Sequence, residues 1–185
     1  MKLITALLAL ALIAVVMKTM VFSFRAQRPD HYAQTGPTFD MTTHLAGPIL
    51  SEGVIFGPRG RMNSRFVAQM KGEWNDAGTE GTLEENFTYN NGNTQTRKWF
   101  LTKTSPTTFT ATASDIRGEA TGKLSGATLE MRYAITLPED AGGHTLNVTD
   151  WLYLTENGVI LNKSEMRKYG INVAELVATM RPAAP

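Results

Sequence analysis

The chain opens on an uncharged and almost wholly apolar run, Leu3 to Met17, bracketed by Lys2 and Lys18, and apolar residues resume through Val21 and Phe22 to Phe24. As α-helix the run alone covers about 22 Å, and its continuation to Phe24 about 33 Å, against a hydrocarbon core of about 30 Å. Lys18 would then have to snorkel towards the interface. A cleaved secretory signal has the same basic start and apolar middle, but no small-x-small cleavage site follows: Met17, Lys18, Thr19 and Met20 come next, then Arg25-Ala26-Gln27-Arg28. We therefore read residues 1–25 as an uncleaved, single-pass transmembrane anchor and expect the membrane as a partner. Lys2 and the amino terminus face Lys18, Arg25 and Arg28 across it, so the positive-inside count does not place the rest of the chain outside.

Residues 26–38 carry Pro, Gly, Gln and Asp without apolar periodicity and read as a linker. From Phe39 to Gly47 the pattern is that of a short helix, capped by Asp40 and ended by Gly47-Pro48. Beyond it no helical period persists. Strand-length runs alternate with turn signals at Gly57-Pro58, Asn75-Asp76, Asn91-Gly92, Ser105-Pro106, Ser125-Gly126, Gly142-Gly143 and Asn157-Gly158. Nine or ten such strands exceed what one flat open sheet holds comfortably, so residues 39–185 are expected to form an all-β antiparallel meander closed into a barrel or sandwich. Leu129, Met131, Tyr133, Ile135 and Leu137 alternate with Thr128, Glu130, Arg132 and Thr136, which predicts a half-buried strand. Asp150 to Leu154 is apolar on both faces, which predicts a wall covered from outside as well, with the short helix near His44 as the candidate cover. The last run, Val173 to Met180, reads as a closing strand.

One hairpin predicts its own register. Leu83, Glu85, Phe87 and Tyr89 share one strand face, and Arg97, Trp99 and Leu101 share one face of the next strand. A three-residue loop, Asn90-Asn91-Gly92, aligns those faces and sets Glu85 opposite Arg97 on the buried side. A buried charge is tolerable only when paired, so a Glu85–Arg97 pair inside the domain is expected.

Composition narrows the chemistry. Among 185 residues there is no cysteine, which removes disulfides, thiolate metal sites, cysteine nucleophiles and lipid attachment through cysteine. A formal net charge of +1 with interspersed signs leaves no electrostatic footprint for nucleic acid. His31, His44 and His144 are isolated, with no partner at ligand spacing, so neither a metal nor another cofactor is expected. Gly118 to Lys123 has its glycines one residue too close for a phosphate loop, and Leu124 stands where Ser or Thr is needed. What remains is a set of polar residues among aromatics: Glu85, Arg97, Trp99, Asp115, Tyr133, Asp150, Trp151 and Asn162. They fit the lining of a mainly apolar ligand pocket, and equally a set of internal pairs that fix strand register.

Several stretches taken in order resemble a bacterial family, domain-of-unknown-function 3833: Leu83 to Tyr89, Arg97-Lys98-Trp99, Ala113 to Gly122, Arg132-Tyr133, Thr149 to Leu154 and Leu161 to Gly170. The resemblance covers about Phe39 to Met180. The strand count fits a calycin- or lipocalin-like barrel, and the resemblance implies that it stands at the periplasmic face of the bacterial inner membrane, since many relatives look like exported lipoproteins. This chain lacks their cysteine, so attachment would fall to its helix. Relatives accompany lipid-modifying enzymes in bacterial genomes, which turns the expected ligand towards a lipid-like or small hydrophobic molecule. Three readings stand at this point: a barrel that binds such a molecule, a filled-core interaction module of the envelope, and a lipid-modifying enzyme with Asp115 or Asp150 as acid/base.

Overall fold

Between Met62 and Trp74, Phe66, Ala68, Met70 and Gly72 are buried while Val67, Gln69 and Lys71 face solvent, and that period of two makes the stretch a strand with one interior face. The same logic repeats along the chain. The computed structural model describes residues 2–139 and 142–183; Met1, Asp140, Ala141, Ala184 and Pro185, which fall inside the predicted anchor and barrel spans, lie outside the described residues. Its strands are β1 (Gly47–Phe56), β2 (Met62–Trp74), β3 (Glu80–Tyr89), β4 (Thr94–Ser105), β5 (Thr108–Thr112), β6 (Ala120–Ser125), β7 (Thr128–Thr136), β8 (Thr145–Leu154), β9 (Ile160–Lys168) and β10 (Ile171–Pro182). Each pairs antiparallel with its neighbour in sequence, and β10 pairs with β1 to close the barrel, with Val54 opposite Val177. The predicted meander and its closing strand are thus both present. The predicted hairpin register holds too: Glu85 lies opposite Arg97, the Tyr89 N–H bonds the Asn93 carbonyl at 2.9 Å, and Gly92 takes φ +86° in the three-residue loop.

Two strands are too short for the wall. β5 and β6 have 5 and 6 residues against 12 in β4 and 9 in β7, so the sheet is low on that side. Residues 113–119 fill the gap. They are tied to β7 by the Thr136 N–H to the Asp115 carbonyl (2.7 Å), the Arg117 N–H to the Ala134 carbonyl (2.8 Å) and an Ile116–Ile135 bridge.

One end of the barrel is plugged. Helix α2 (Met41–His44) is capped by the Asp40 carboxylate, which accepts from the Thr42 N–H at 3.0 Å. It presses Phe39, Met41 and Leu45 into the core, Met41 being 0% exposed. Gly72 is the seat of this plug, because a Cβ there would overlap the Leu45 carbonyl, which also accepts from the Trp74 indole N–H at 3.3 Å.

The doubly apolar strand is covered, but not by the helix near His44. Asp150, Leu152 and Leu154 face inward, and Trp151 faces outward yet is only 1% exposed. Its cover is the stretch read from composition as a linker. Tyr32 packs on Trp151 with ring centroids 5.2 Å apart and on Tyr153 at 6.0 Å. Tyr153 donates to Gln27 Oε1 at 2.6 Å, and Thr35 Oγ1 accepts from the Ala127 N–H at 3.0 Å. The helix near His44 is committed to the barrel's end, where apolar Met41 and Leu45 are buried, so an upstream strap takes the outer wall.

Helix α1 (Lys2–Val21) precedes the strap, and Leu3, Leu7, Leu10, Ile13 and Val21 stand among its exposed side chains. Among the described residues no helix is long and apolar enough to cross a membrane. The predicted transmembrane span is therefore not shown; the charge-free run that ends before Lys18 is by itself shorter than the hydrocarbon thickness.

Candidate functional site

The barrel is not filled. A cavity of about 850 Å³ runs from the α2 plug towards the turns that join β3 to β4 and β7 to β8. Large side chains such as Phe87, Trp99, Leu101 and Met131 line one side, whereas Ser51, Ser164, Ala174 and Ala178 stand on the wall made by β1, β9 and β10. Ile55, Met166, Leu176 and Met180 share that wall, and the Phe66 ring fills the space beside Gly53, so the open volume lies along Ser51, Ser164 and Ala174. Elsewhere small residues create no space, since a Cβ on Gly122 would collide with the buried Phe109 ring.

A polar cluster sits within this apolar chamber. Arg97 is its centre. Its Nε donates to Asp115 Oδ2 at 2.9 Å and its Nη2 to the same oxygen at 2.7 Å, a forked pair that fastens the 113–119 segment to β4 where β5 no longer reaches. Arg97 Nη1 lies 3.6 Å from Glu85 Oε2, so the predicted Glu85–Arg97 pair forms as an ion contact while the close hydrogen bonds go to Asp115. The guanidinium also lies 5.5 Å from the Trp99 ring, which meets Tyr133 edge-on at 5.2 Å. Tyr133 donates to Asp150 Oδ2 at 3.0 Å. Asp150 stands directly across the ladder from Ser164 on β9.

Two acceptors in the cluster are left over. Glu85 Oε2 and Asp150 Oδ1 are shielded from solvent and accept no hydrogen bond. Burial of Glu85, 8% exposed, pushes its carboxyl from the ordinary 4.5 up to about 7; the Arg97 guanidinium opposes this and the Asp150 carboxylate adds to it. Burial likewise raises the Asp150 carboxyl, and raises the Tyr133 phenol well above its ordinary range. For Arg97 burial works against the charge, but Glu85, Tyr133 and Asp115 outweigh it and hold the guanidinium protonated. Three carboxyls thus share one guanidinium.

Of the residues singled out from sequence, Glu85, Arg97, Trp99, Asp115, Tyr133, Asp150 and Asn162 all line the cavity. Trp151 does not, because it lies one position from Asp150 and so points to the opposite face, under Tyr32. Ser164 and Gln95 were not anticipated. Ser164 shares the parity of Ile160, Asn162 and Met166 along β9, and that alternation was the available signal.

No curated protein matches the chain in sequence. Solved structures do match its fold. The S-type phycobiliprotein lyase CPES from Guillardia theta superposes with a TM-score of 0.60 at 7% identity, over 86% of this chain and 99% of that one. Rv2717c from M. tuberculosis gives 0.55 at 13% identity, over 82% and 100%. A protein of unknown function from the DUF3598 family of Nostoc punctiforme gives 0.50 at 11% identity, over 80% and 51%. At such identities the likeness is one of fold alone. The family model described as protein of unknown function (DUF3833) matches residues 18–182, from the end of the apolar helix through the last strand, and the chain belongs to that family.

Proposed function

We propose that the protein is a barrel that binds one elongated, mainly apolar small molecule of lipid-like character, held at a membrane by helix α1. The cavity carries this reading. Its volume of about 850 Å³ falls within the roughly 300–1,000 Å³ of small-molecule sites, and its walls are apolar with a few convergent polar groups. The filled-core alternative needs Phe87, Tyr89, Trp99, Leu101, Met131 and Tyr133 to fill the barrel; Trp99 and Tyr133 do meet edge-on, but all six also line the open volume. The likeness to a phycobiliprotein lyase supports the reading only as far as the shared fold.

Helix α1 supports the membrane half of the proposal. It carries no acidic residue, and its described apolar side chains are exposed all round its circumference, which suits lipid better than water or an amphipathic interface. The periplasmic face of the bacterial inner membrane is the location we propose, on the family's exported relatives. A reporter fused after Pro185 that is active only in the periplasm supports that placement, and one active only in the cytoplasm overturns it.

The ligand reading is tested by native mass spectrometry of the full chain extracted in mild detergent. A stoichiometric adduct that disappears in Ala174→Trp, which intrudes on the chamber, and persists in the outward-facing Val67→Ser supports the proposal. An adduct that survives Ala174→Trp, or none in a folded protein, overturns it. A second reading, acid–base chemistry on a bound lipid, is favoured by the raised Asp150 carboxyl inside an open chamber, not by Asp115, which Arg97 engages. Turnover of extracted lipid that is lost in Asp150→Asn would support it.

A further inference from the structure

The chemistry of the ligand's head group follows from what the cluster leaves unsatisfied, and this step rests on the ligand-binding reading above. Among the described residues Arg97 is the one basic side chain in the cavity lining, and its Nε and Nη2 are engaged by Asp115. Its remaining Nη1 faces Glu85 Oε2 at 3.6 Å. An anionic head group would therefore find no free cation and would meet Glu85, Asp115 and Asp150. A wholly apolar ligand would fill the chamber but leave Glu85 Oε2 and Asp150 Oδ1 without donors, in a setting where a buried polar group needs one. Only a donor answers both facts, and a charged donor answers the imbalance of three carboxyls to one guanidinium.

We propose that the molecule bound in the cavity carries a protonated amine, which donates to Glu85 Oε2 and Asp150 Oδ1 while its apolar body lies along the Leu, Met and Phe walls towards the α2 plug. The site is built rather than incidental. Glu85 is held on β3 opposite Arg97, Asp150 is held by the Tyr133 hydroxyl, and Trp99 packs between the two pairs. The amine would add the second positive charge the cluster lacks, so its arrival favours the ionised form of Glu85 and expels a proton. With burial pushing that carboxyl up to about 7, amine binding near neutral pH should release part of a proton.

Three probes with one apolar body separate the head groups: 4-phenylbutylamine, 4-phenylbutan-1-ol and 4-phenylbutyrate. Each is titrated calorimetrically into the full chain in nanodiscs, with empty nanodiscs subtracted. The amine should bind at least tenfold more tightly than the alcohol, and the carboxylate most weakly. In E85Q/D150N, whose amides keep the shapes of the side chains, the ratio of amine to alcohol affinity should fall below about twofold, while Val67→Ser keeps it. Should the double variant fail to fold, wild-type titrations in two buffers of different ionisation enthalpy decide the matter, since proton release on binding amine but not alcohol supports the proposal and none overturns it. Alcohol binding without preference for the amine, or tighter binding of the carboxylate, overturns the head-group inference and leaves the ligand-binding barrel standing. Failure of all three to bind overturns both.

Discussion

Glu85→Gln should become increasingly stabilising relative to wild type as pH rises from acid to neutral. Burial holds the folded carboxyl near 7 while the unfolded one ionises near 4.5. Below about 4.5 both states are protonated and no difference arises. As pH rises from 4.5 to 7 the unfolded state loses a proton that the folded state keeps, so folding is progressively disfavoured; above 7 both are ionised and the penalty is constant. At about 1.36 kcal/mol per pH unit, 2.5 units amount to roughly 3 kcal/mol. For a chain of this length that is on the order of 6–12 °C in melting midpoint. The amide lacks the titration, so the difference in midpoint between E85Q and wild type, followed by tryptophan fluorescence in mild detergent at pH 4.5, 5.5, 6.5 and 8, should climb across that interval and then level off. Any fixed cost of burying an amide shifts the whole curve without altering its slope. A difference that is flat from pH 4.5 to 8, or that falls with pH, would refute the claim that Glu85 is a desolvated carboxyl in the folded barrel.

Arg97→Met should cost about 3–5 kcal/mol, because it strands buried carboxylates. Adding Asp115→Asn should recover more of that loss in chemical denaturation than adding Glu85→Gln, since the close hydrogen bonds of Arg97 go to Asp115; equal recovery would place the two carboxyls on the same footing. Gly72→Ala should lower stability by about 1–3 kcal/mol through forced overlap with the Leu45 carbonyl, and should speed limited proteolysis near α2, whereas an unchanged melting midpoint would show that the plug shifts freely. Tyr32→Ala should uncover Trp151 and red-shift its emission, at a cost within about 0.5–3 kcal/mol; an unshifted spectrum would mean the strap does not shield that wall.

How far these features were legible beforehand depends on whether local pattern alone decides them. Strand parity and turn chemistry are local, which is why the meander and the Glu85–Arg97 register could be read from alternation and from a single Gly92, whereas closure was read from the number of strands. Seven of the eight nominated polar and aromatic residues line the chamber, six of them by their parity on strands and Asp115 from the segment between β5 and β6. Parity would have removed Trp151 had it been applied to Asp150 and Trp151 together, since adjacent residues on a strand cannot share a face. Whether the barrel is filled was not legible. Ala174 lines an open volume, while Gly53 is covered by Phe66 and Gly122 by Phe109, and only the assembled ring of strands distinguishes these cases.

The partner of Arg97 was hidden for a related reason. Glu85 is its ladder neighbour and so was visible in the hairpin, but Asp115 lies outside the strands, in the segment that fills the wall where β5 and β6 stop short. That shortfall gives the cluster its character. Had β5 run the full height of β4, its own inward residues would have stood beside Arg97 instead of a carboxylate borne on a loop. With Asp115 in place, the guanidinium spends its fork on holding the wall together, Glu85 is left with a longer contact, and Asp150 has the Tyr133 hydroxyl and the neighbouring Ser164 side chain as donors, with Oδ1 unpartnered. The gap in the sheet, the latch that closes it and the two acceptors left facing the cavity are consequences of one another, so a change that lengthens β5 and frees Arg97 should turn the chamber's preference towards anions.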